Sequence, residues 1–250
     1  MILKGIDLFM DFIVKSHYIV ALTGAGISTK AGVPDFRGPK GLYKRKDIPA
    51  DKLFDINYFK EDPTLFYKHI SELLNLFKKA KPTKGHLFLK RLEDLGKLKA
   101  IVTQNVDGLH KKAGNHNVIE IHGNFDKFYC IECFNEITSD DDMYGEIIKL
   151  IKKKGVPKCK KCKGTLKPNV VFFGEYVRDL EKALTEVQKA DLLITIGTSL
   201  TVYPASTLPS YLNDEAKLVI INEEETPYDG KAKVVLHEDI DDVVDRLKIL

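Results

Sequence analysis

Short, continuous apolar segments alternate with amphipathic helical segments along most of this chain. The apolar segments predict strands at 17–22, 99–103, 169–172, 192–196, 218–221 and 234–236. Helical periodicity predicts helices at 2–13, 64–79, 84–95 and 179–189, and a closing helix that turns Val243, Val244 and Leu247 inward. Because strands that are apolar on both sides must be covered on both faces, this order predicts an α/β fold with a doubly wound, Rossmann-like parallel sheet.

Residues 124–168 interrupt that alternation and carry all four cysteines of the chain. The cysteines form two Cys-x-x-Cys pairs, Cys130 with Cys133 and Cys159 with Cys162. Two such pairs are typical of a tetrahedral site for one structural zinc ion, because each short turn presents two thiolates to the same metal. A segment this polar buries little apolar surface, so we expect zinc to supply the missing stability. The alternative is a pair of disulfides, which a reducing compartment disfavours.

Composition limits the class of protein. A hydrophobic content of 44% in 250 residues is enough for one large domain with a small insertion. The apolar runs are far shorter than the roughly 20 residues that cross a bilayer, and no signal-peptide pattern begins the chain. We therefore expect a cytoplasmic protein without a membrane partner. A formal net charge of +3 also argues against direct binding of nucleic acid.

A glycine turn follows the first predicted strand. Gly24, Ala25 and Gly26 lack bulky side chains, so their backbone N–H groups could approach a phosphate at the start of a helix. The spacing departs from the usual G-x-G-x-x-G, because Thr29 stands at the third position. Glycines after a strand are also common turn residues, so this turn alone is a weak signal.

Three further strand ends place polar residues or glycine after an apolar run. They contain Gln104, Asn105, Val106 and Asp107; Ile121, His122 and Gly123; and Gly197, Thr198 and Ser199. Ligands of open α/β sheets bind at the carboxyl ends of the strands, so these loops and the glycine turn predict one crevice. Each loop taken alone could instead cap its own helix.

The motifs of these loops together resemble those of the sirtuin family. The chain contains, in the sirtuin order, GAGIS, GVPDFRGPKGLY, TQNVDGLH, HGN, the two Cys-x-x-Cys pairs, VVFFGE and GTSL. The resemblance runs from about residue 17 to the closing helix. It implies an NAD-dependent protein lysine deacetylase or deacylase that holds one zinc ion and takes NAD as co-substrate. The products would be nicotinamide, O-acyl-ADP-ribose and free lysine.

The resemblance also implies roles for residues on the NAD side of the crevice. Asp35, Phe36 and Arg37 match a mobile loop that closes over NAD and excludes water from the reacting ribose carbon. His122 matches the general base, since a neutral imidazole can take a proton from a ribose hydroxyl. Further matches hold the ribose, the nicotinamide amide, the phosphates and the adenosine. They are Gln104, Asn105, Val106, Asp107, Gly197, Thr198, Ser199, Asn222 and Ile240.

The segment 170–175 resembles the part of sirtuins that binds the substrate peptide as an added β-strand. The residues expected to contact the peptide and the acyl-lysine stem are Val171, Phe173, Gly174 and Glu175. Sirtuins often continue with a residue followed by Leu-Pro, whereas this chain has Tyr176, Val177 and Arg178. That departure leaves the substrate register after Glu175 open.

The range of acyl groups that the protein removes can be narrowed by comparison with sirtuins that remove acidic acyl groups. They carry a Tyr-x-x-Arg pair, and the matching stretch here begins at Tyr67 and has Ile70 in place of the arginine. A buried carboxylate without a cationic partner is costly, so we expect acetyl or longer apolar chains to be preferred over succinyl. Lys68 or His69 could substitute for the arginine.

The expected domains are a Rossmann-like NAD-binding domain formed by 1–123 and 169–250, and a zinc-binding insertion at 124–168. The substrate crevice would lie between them, and acylated-lysine proteins would be the partners. Three alternatives stay open: an NAD-dependent protein ADP-ribosyltransferase, an NAD-using oxidoreductase, and a non-enzymatic zinc ribbon that binds nucleic acid through the lysines of 149–167.

Overall fold

A computed structural model describes residues 2–35, 49–138 and 143–247. Its strands are β1 (Ile19–Thr23), β2 (Leu98–Thr103), β3 (Val118–Glu120), β4 (Gly123–Cys130), β5 (Glu136–Thr138), β6 (Leu166–Val170), β7 (Leu192–Ile196), β8 (Lys217–Ile221) and β9 (Val234–Leu236). Six of them form a parallel sheet in the order β3-β2-β1-β7-β8-β9. This sheet confirms the predicted doubly wound α/β fold.

The helices lie along the chain between and beside these strands. They are α1 (Ile2–Lys15), α2 (Ala50–Leu53), α3 (Ile56–Glu61), α4 (Pro63–Lys79), α5 (Lys84–Asp94), α6 (Leu109–Lys112), α7 (Met143–Lys154), α8 (Leu180–Lys189) and α9 (Ile240–Leu247). Short 3₁₀ helices occupy Ala25–Ala31, Ala205–Tyr211 and Asp229–Lys231. In the described parts of the chain, no helix combines the length and apolar character needed to cross a bilayer.

An apolar core covers each face of the parallel sheet. On one face, Ile194 lies in a buried cluster with Phe9 of α1 and Phe88 of α5, which pack edge to face at 6.3 Å between ring centroids. On the other face, Leu193 lies in a cluster with Val187 of α8. Successive residues of β7 therefore point into two different cores, which is why its sequence is continuously apolar.

The strand order reverses between β1 and β7. From β1 the chain moves outward through β2 and β3, and from β7 it moves the other way through β8 and β9. The two central strands thus diverge in their connections, which opens a crevice at their carboxyl ends. The glycine turn after β1 and the Gly197 loop after β7 lie at this point.

A second sheet is antiparallel, in the order β5-β4-β6. The strand predicted at 169–172 is observed as β6, which ends at Val170 and pairs with β4 rather than with the parallel sheet. Val171 N–H donates to His122 O at 2.8 Å, next to the pairing of Val170 with Gly123. Phe172 then packs among aromatic rings from the neighbouring helices, with its centroid 5.4 Å from that of Phe59.

The small sheet shares its core with helices from an earlier part of the chain. Buried side chains of α3 and α4, including Phe59 and Phe66, belong to the same apolar cluster as Phe128 of β4 and Ile147 of α7. The segment 50–79 is therefore packed with the cysteine-bearing part of the molecule.

Candidate functional site

A cleft at the carboxyl ends of β1, β2 and β7 gathers most of the predicted site residues. Its volume is about 610 Å³, which is in the range of small-molecule binding sites. The predicted residues that line it are Gly24, Ala25, Gly26, Thr29, Asp35, Gln104, Asn105, Val106, His122, Val171, Phe173, Gly174, Glu175, Gly197, Thr198, Ser199, Asn222 and Ile240. Phe36 and Arg37 lie outside the described residues.

Three glycines let the loops after β1 and β7 touch. A Cβ on Gly26 would lie 2.7 Å from Gly197 Cα, and a Cβ on Gly24 would lie 2.7 Å from Gly197 O. Gly197 itself has φ +61°, and its Cβ would lie 2.3 Å from Ile27 N. Backbone contact at this distance requires residues without side chains.

The N–H groups of the first two glycines do not point to a ligand. Gly24 N–H donates to Ile196 O at 3.1 Å, and Gly26 N–H donates to Gly197 O at 2.9 Å. The prediction that they approach a phosphate is therefore wrong for these two groups. Their role is to join the two central strand ends and so to shape the floor of the cleft.

His122 follows β3 and borders the cleft. Its Nδ1 lies 2.9 Å from Gln104 O. Because a carbonyl oxygen can only accept, Nδ1 carries the hydrogen, and the lone pair of the neutral ring is on Nε2. Burial lowers the pKa of His122 below its usual value, although the bond to Gln104 opposes that shift. The neutral, proton-accepting form is thus favoured near pH 7.

Gln104 is held across the cleft floor. Its side-chain amide donates to Thr198 Oγ1 at 2.9 Å, which links the end of β2 to the loop after β7. The carbonyl that orients His122 therefore belongs to a residue fixed at both its main chain and its side chain, since Gln104 N–H also donates to Thr23 O at 3.0 Å.

Asn105, Asp107 and Ser28 form a buried hydrogen-bonded group. Asn105 Nδ2 donates to Gly24 O at 3.0 Å and to Ser28 Oγ at 3.2 Å. The Ser28 hydroxyl donates to Asp107 Oδ2 at 2.7 Å. Sequence reasoning did not select Ser28, although it ends the GAGIS motif. Its hydroxyl is what joins the glycine turn to the loop after β2.

Among the residues predicted to contact NAD and described by the structure, Asp107 does not border the main cleft. It lines a cavity of about 30 Å³ next to it, which also has Ala25, Asn105 and Val106 in its wall. Burial raises the pKa of Asp107, while hydrogen bonds from Leu109 N–H and Ser28 and the charge of Lys112 oppose the shift. A partly desolvated carboxylate thus lies behind the residues that face the cleft.

Three further polar residues that line the cleft bond within their own loops. Thr29 Oγ1 donates to Gly26 O at 3.0 Å, and Ser199 Oγ lies 2.8 Å from Thr201 Oγ1. Asn222 Nδ2 donates to Glu224 O at 2.7 Å, so its amide nitrogen is occupied in this arrangement. Sequence reasoning could not anticipate these local bonds.

The segment after β6 forms one wall of the cleft. Phe173 N–H donates to Phe54 O at 2.7 Å, and Ile56 N–H donates to Phe173 O at 3.1 Å. These bonds attach the segment to the start of α3. Phe173 and Tyr176 are among the exposed large side chains, and both border the cleft.

Tyr67 lies in the core of the molecule rather than in the cleft. It is 1% exposed, and its hydroxyl donates to Leu166 O. Burial raises its pKa well above the usual value. The residue three positions later, Ile70, lines the small cavity beside Asp107. No arginine contributes to that cavity wall among the described residues.

The four cysteines converge at one end of the small sheet. Their sulfur atoms all lie within 4.8 Å of one another. Cys130 Sγ lies 3.4 Å from Cys162 Sγ, and Cys133 Sγ lies 3.9 Å from Cys159 Sγ. Sulfurs bound to one tetrahedral zinc ion at about 2.3 Å are about 3.8 Å apart, so the donor set and its size fit zinc. Four thiolates complete the shell, which makes the site structural.

Two histidines form a buried pair near Thr23, at the end of β1, and sequence reasoning did not place them in a site. The rings of His86 and His110 have centroids 4.7 Å apart. Thr23 Oγ1 lies 2.8 Å from His110 Nε2, and Thr83 Oγ1 lies 2.8 Å from His86 Nδ1. Burial lowers the pKa of His86 to about 3 and that of His110 well below its usual value. Both rings are therefore neutral.

Sequence comparison relates the chain to a known family over most of its length. The model of the Sir2 family matches residues 24–204. An NAD-dependent protein deacetylase of Sulfurisphaera tokodaii is 43% identical, over 95% of this chain and 94% of that protein. An enzyme of the same name from Clostridium perfringens is 39% identical, over 97% of this chain and 98% of that protein.

Solved structures give the same relationship. A Sir2 structure with a p53 peptide and NAD⁺ has a TM-score of 0.87 and 38% identity, and the match covers 97% of this chain and 96% of that chain. A structure of Sir2Tm bound to a propionylated peptide has a TM-score of 0.86 and 37% identity, with the same coverage. The fold therefore matches theirs over almost the whole chain.

Proposed function

Because the chain belongs to the Sir2 family, we propose that it is an NAD-dependent protein lysine deacylase that removes acetyl and other apolar acyl groups. The observation that carries this proposal is the environment of His122. A neutral imidazole, fixed through Nδ1, presents the lone pair of Nε2 at a cleft between the loops of a doubly wound sheet and an apolar wall. The oxidoreductase alternative is disfavoured because the relatives that match almost the whole chain are named NAD-dependent protein deacetylases.

NAD, when bound, supplies a ribose carbon from which nicotinamide can leave. The chain's contribution is to bind, to orient and to move protons. The loops that hold Gly24, Gly197 and Thr198 would take the phosphate side, and Asn105 the ribose and amide side, with Asp107 behind it. His122 would accept a proton from a ribose hydroxyl at Nε2.

The acyl-lysine would enter along the wall formed by Val171, Phe173 and Gly174. A relative in the Sir2 group has been solved with a propionylated peptide, which supports an acyl chain longer than acetyl here. The small cavity beside the cleft is lined by Val33, Phe54 and Ile70, with no lysine or arginine among its described residues. An acyl carboxylate would lack a cationic partner there, so succinyl should be a poor substrate.

We propose the domain division 1–123 with 169–250 for NAD binding, and 124–168 for zinc. The helices at 50–79 pack with the zinc part, so we also propose that they move with it. Acylated proteins rather than nucleic acids are the proposed partners, given the net charge of only +3. A cytoplasmic location suits four neighbouring thiolates, which persist in a reducing compartment.

Mass spectrometry on an acetyl-lysine peptide, with and without NAD, tests the function. We expect the peptide to lose acetyl only when NAD is present, with nicotinamide and acetyl-ADP-ribose formed in equal amounts. Unchanged NAD with a series of acyl peptides would contradict the proposal. ADP-ribose attached to protein would show that the acceptor has been assigned incorrectly.

His122→Ala is the matched variant for the general base. Its turnover should fall by about 100-fold or more, the usual contribution of a positioned base, while NAD still binds. His116→Ala removes an imidazole whose side chain is 83% exposed, and its turnover should stay at the wild-type value. Near-normal turnover of His122→Ala would exclude His122 as the base.

A further inference from the structure

Lys167 is a fully buried lysine next to the proposed substrate wall. It lies on β6, opposite Tyr129 of β4, and its side chain is 0% exposed. Lysine is almost never fully buried unless its ammonium group is paired. The groups that pair with it therefore identify what this residue does.

The ammonium group of Lys167 contacts three parts of the segment that follows β6. Nζ donates to Val170 O at 2.6 Å and lies 2.8 Å from Glu175 Oε2. It also lies 4.0 Å from the centroid of the Phe172 ring, within the range of a cation–π contact. One buried charge thus holds the start, the middle and the end of the segment 170–175.

Glu175 links the ion pair with Lys167 to the main chain of the same segment. Its Oε2 accepts a hydrogen bond from Phe172 N–H at 2.8 Å, and Glu175 N–H donates to Phe172 O at 3.0 Å. The carboxylate that neutralises Lys167 therefore also fixes the turn between Phe172 and Glu175. Gly174 within that turn has φ +91°, a conformation that glycine adopts at no steric cost.

We propose that Lys167 is a positioning residue for the substrate peptide: its ammonium group, through Glu175 and Val170 O, holds the segment 170–175 in the shape that receives the peptide. This inference rests on the proposed function, because the segment is assigned there to the substrate wall. Lys167 itself does not border the cleft. Its effect is expected on peptide binding, because a preordered edge loses less entropy when a strand is added.

The charged and titratable groups around Lys167 come from β4 and from the segment that covers it. Glu175 is the anion, and Tyr129 OH lies 3.4 Å from Glu175 Oε1. Burial raises the pKa of Tyr129 to about 12, so the phenol is neutral. Arg178 is a second cation on this side of the sheet. Burial lowers the pKa of Lys167 to about 8, although Glu175 opposes the shift.

Lys167→Met is the variant that separates positioning from folding. Methionine has a similar length and suits a buried site, and the side chain of Glu175 is 23% exposed, so its charge stays hydrated. Lys167→Arg keeps a cation that does not titrate. Lys127→Met is the control, because it removes a lysine from the exposed ion pair with Glu136 in the same sheet.

The experiment measures the Kd of a fluorescein-labelled acetyl-lysine peptide by anisotropy, together with amide hydrogen exchange over 170–175. Lys167→Met should raise the peptide Kd by about tenfold and speed the exchange of the segment, as expected for a misplaced binding edge. Lys127→Met should change neither. In the wild type the Kd should rise as pH increases through about 8, where Lys167 loses its charge, and Lys167→Arg should lack that rise.

A folded Lys167→Met chain that binds the peptide as tightly as Lys127→Met would overturn the inference and leave the proposed function intact. Peptide binding by the wild type without NAD-dependent turnover would contradict the proposed function alone. If Lys167→Met does not fold, Glu175→Gln removes the same ion pair from its more exposed end. Unchanged peptide Kd and exchange in Glu175→Gln would then overturn the inference.

Discussion

The parallel sheet and the small antiparallel sheet are stabilised in different ways. Every residue of β7 is buried, and apolar cores cover both faces of its sheet. In β4, by contrast, buried and exposed residues are mixed, and the end of the strand is a cysteine of the four-sulfur cluster. The first region is stabilised by apolar burial on both faces of its sheet, whereas the second adds a four-sulfur metal site to the apolar cluster that it shares with α3 and α4.

Removing zinc should have the largest effect, and that effect should be confined to the small sheet. Structural zinc in small modules contributes about 10 kcal/mol or more of apparent binding free energy, and its loss would leave the small sheet only the apolar cluster that it shares with α3 and α4. We expect a chelator to speed hydrogen exchange throughout β4, β5 and β6, while β1 and β7 stay protected. Cys159→Ser should have the same effect, and the neighbouring exposed Lys161→Ala should have none. Protection of β4 in the zinc-free chain would contradict the prediction.

The metal site is one feature of the structure that could be predicted from the sequence. The spacing of Cys130, Cys133, Cys159 and Cys162 predicted a four-sulfur cluster, and the structure has one. The apolar runs likewise predicted five of the six strands of the parallel sheet, because their pattern depends only on burial on both faces. The short strand β3 was not among the predicted ranges, and the run at 169–172 belongs to the antiparallel sheet. Local chemistry of this kind is visible in a sequence without knowledge of the fold.

Features that depend on contacts between distant segments could not be predicted. Nothing in the sequence distinguishes Lys167, which is buried and paired with Glu175, from the many exposed lysines. Ser28 was missed because its partner Asp107 is 79 residues away. The N–H groups of Gly24 and Gly26 were assigned to a ligand because the approach of the loop after β7 was unknown.

Gly197→Ala should produce the next largest effect, and it falls on the region that needs no metal. Alanine would have to adopt φ +61°, and its Cβ would lie 2.3 Å from Ile27 N. We expect a loss of about 3 kcal/mol in the free energy of unfolding. Gly32→Ala separates the two causes, because Gly32 has φ +82° but nothing within 4 Å of its Cβ. It should lose about 1 kcal/mol, measured by urea unfolding.

Equal losses in the two glycine variants would show that the backbone conformation alone is responsible. The close contact between the loops after β1 and β7 would then contribute nothing. A larger loss in Gly197→Ala, with weaker NAD binding, would show that the packed strand ends of the metal-free region also shape the cleft.

Acid should weaken the parallel-sheet region through its buried histidine pair. The pKa of His86 falls to about 3 on folding, so below the unfolded value of about 6.5 the unfolded chain binds more protons. Stability must therefore fall as pH decreases from about 6.5 toward 3, by at most about 1.4 kcal/mol per pH unit for this residue. Urea unfolding at pH 6.5 and 5.5 measures the slope.

The variant that isolates this effect is His86→Gln, which removes one titrating group from the pair. It should be less stable at pH 7 but should lose less stability on acidification than the wild type. His116→Gln changes an exposed histidine and should keep the wild-type slope. If His86→Gln also keeps that slope, the acid sensitivity comes from elsewhere in the molecule.

Surface ion pairs should have the smallest effect and should not distinguish the two regions. Lys15 pairs with Asp11 at 2.7 Å on α1, and Lys127 pairs with Glu136 at 2.9 Å in the small sheet. All four side chains are at least 44% exposed, so water and salt screen both attractions. Lys15→Gln and Lys127→Gln should each change the free energy of unfolding by about 0.5 kcal/mol or less in urea titrations of the zinc-loaded chain. A loss of several times that size in Lys127→Gln alone would mean that charge pairing, and not only the metal, supports the small sheet.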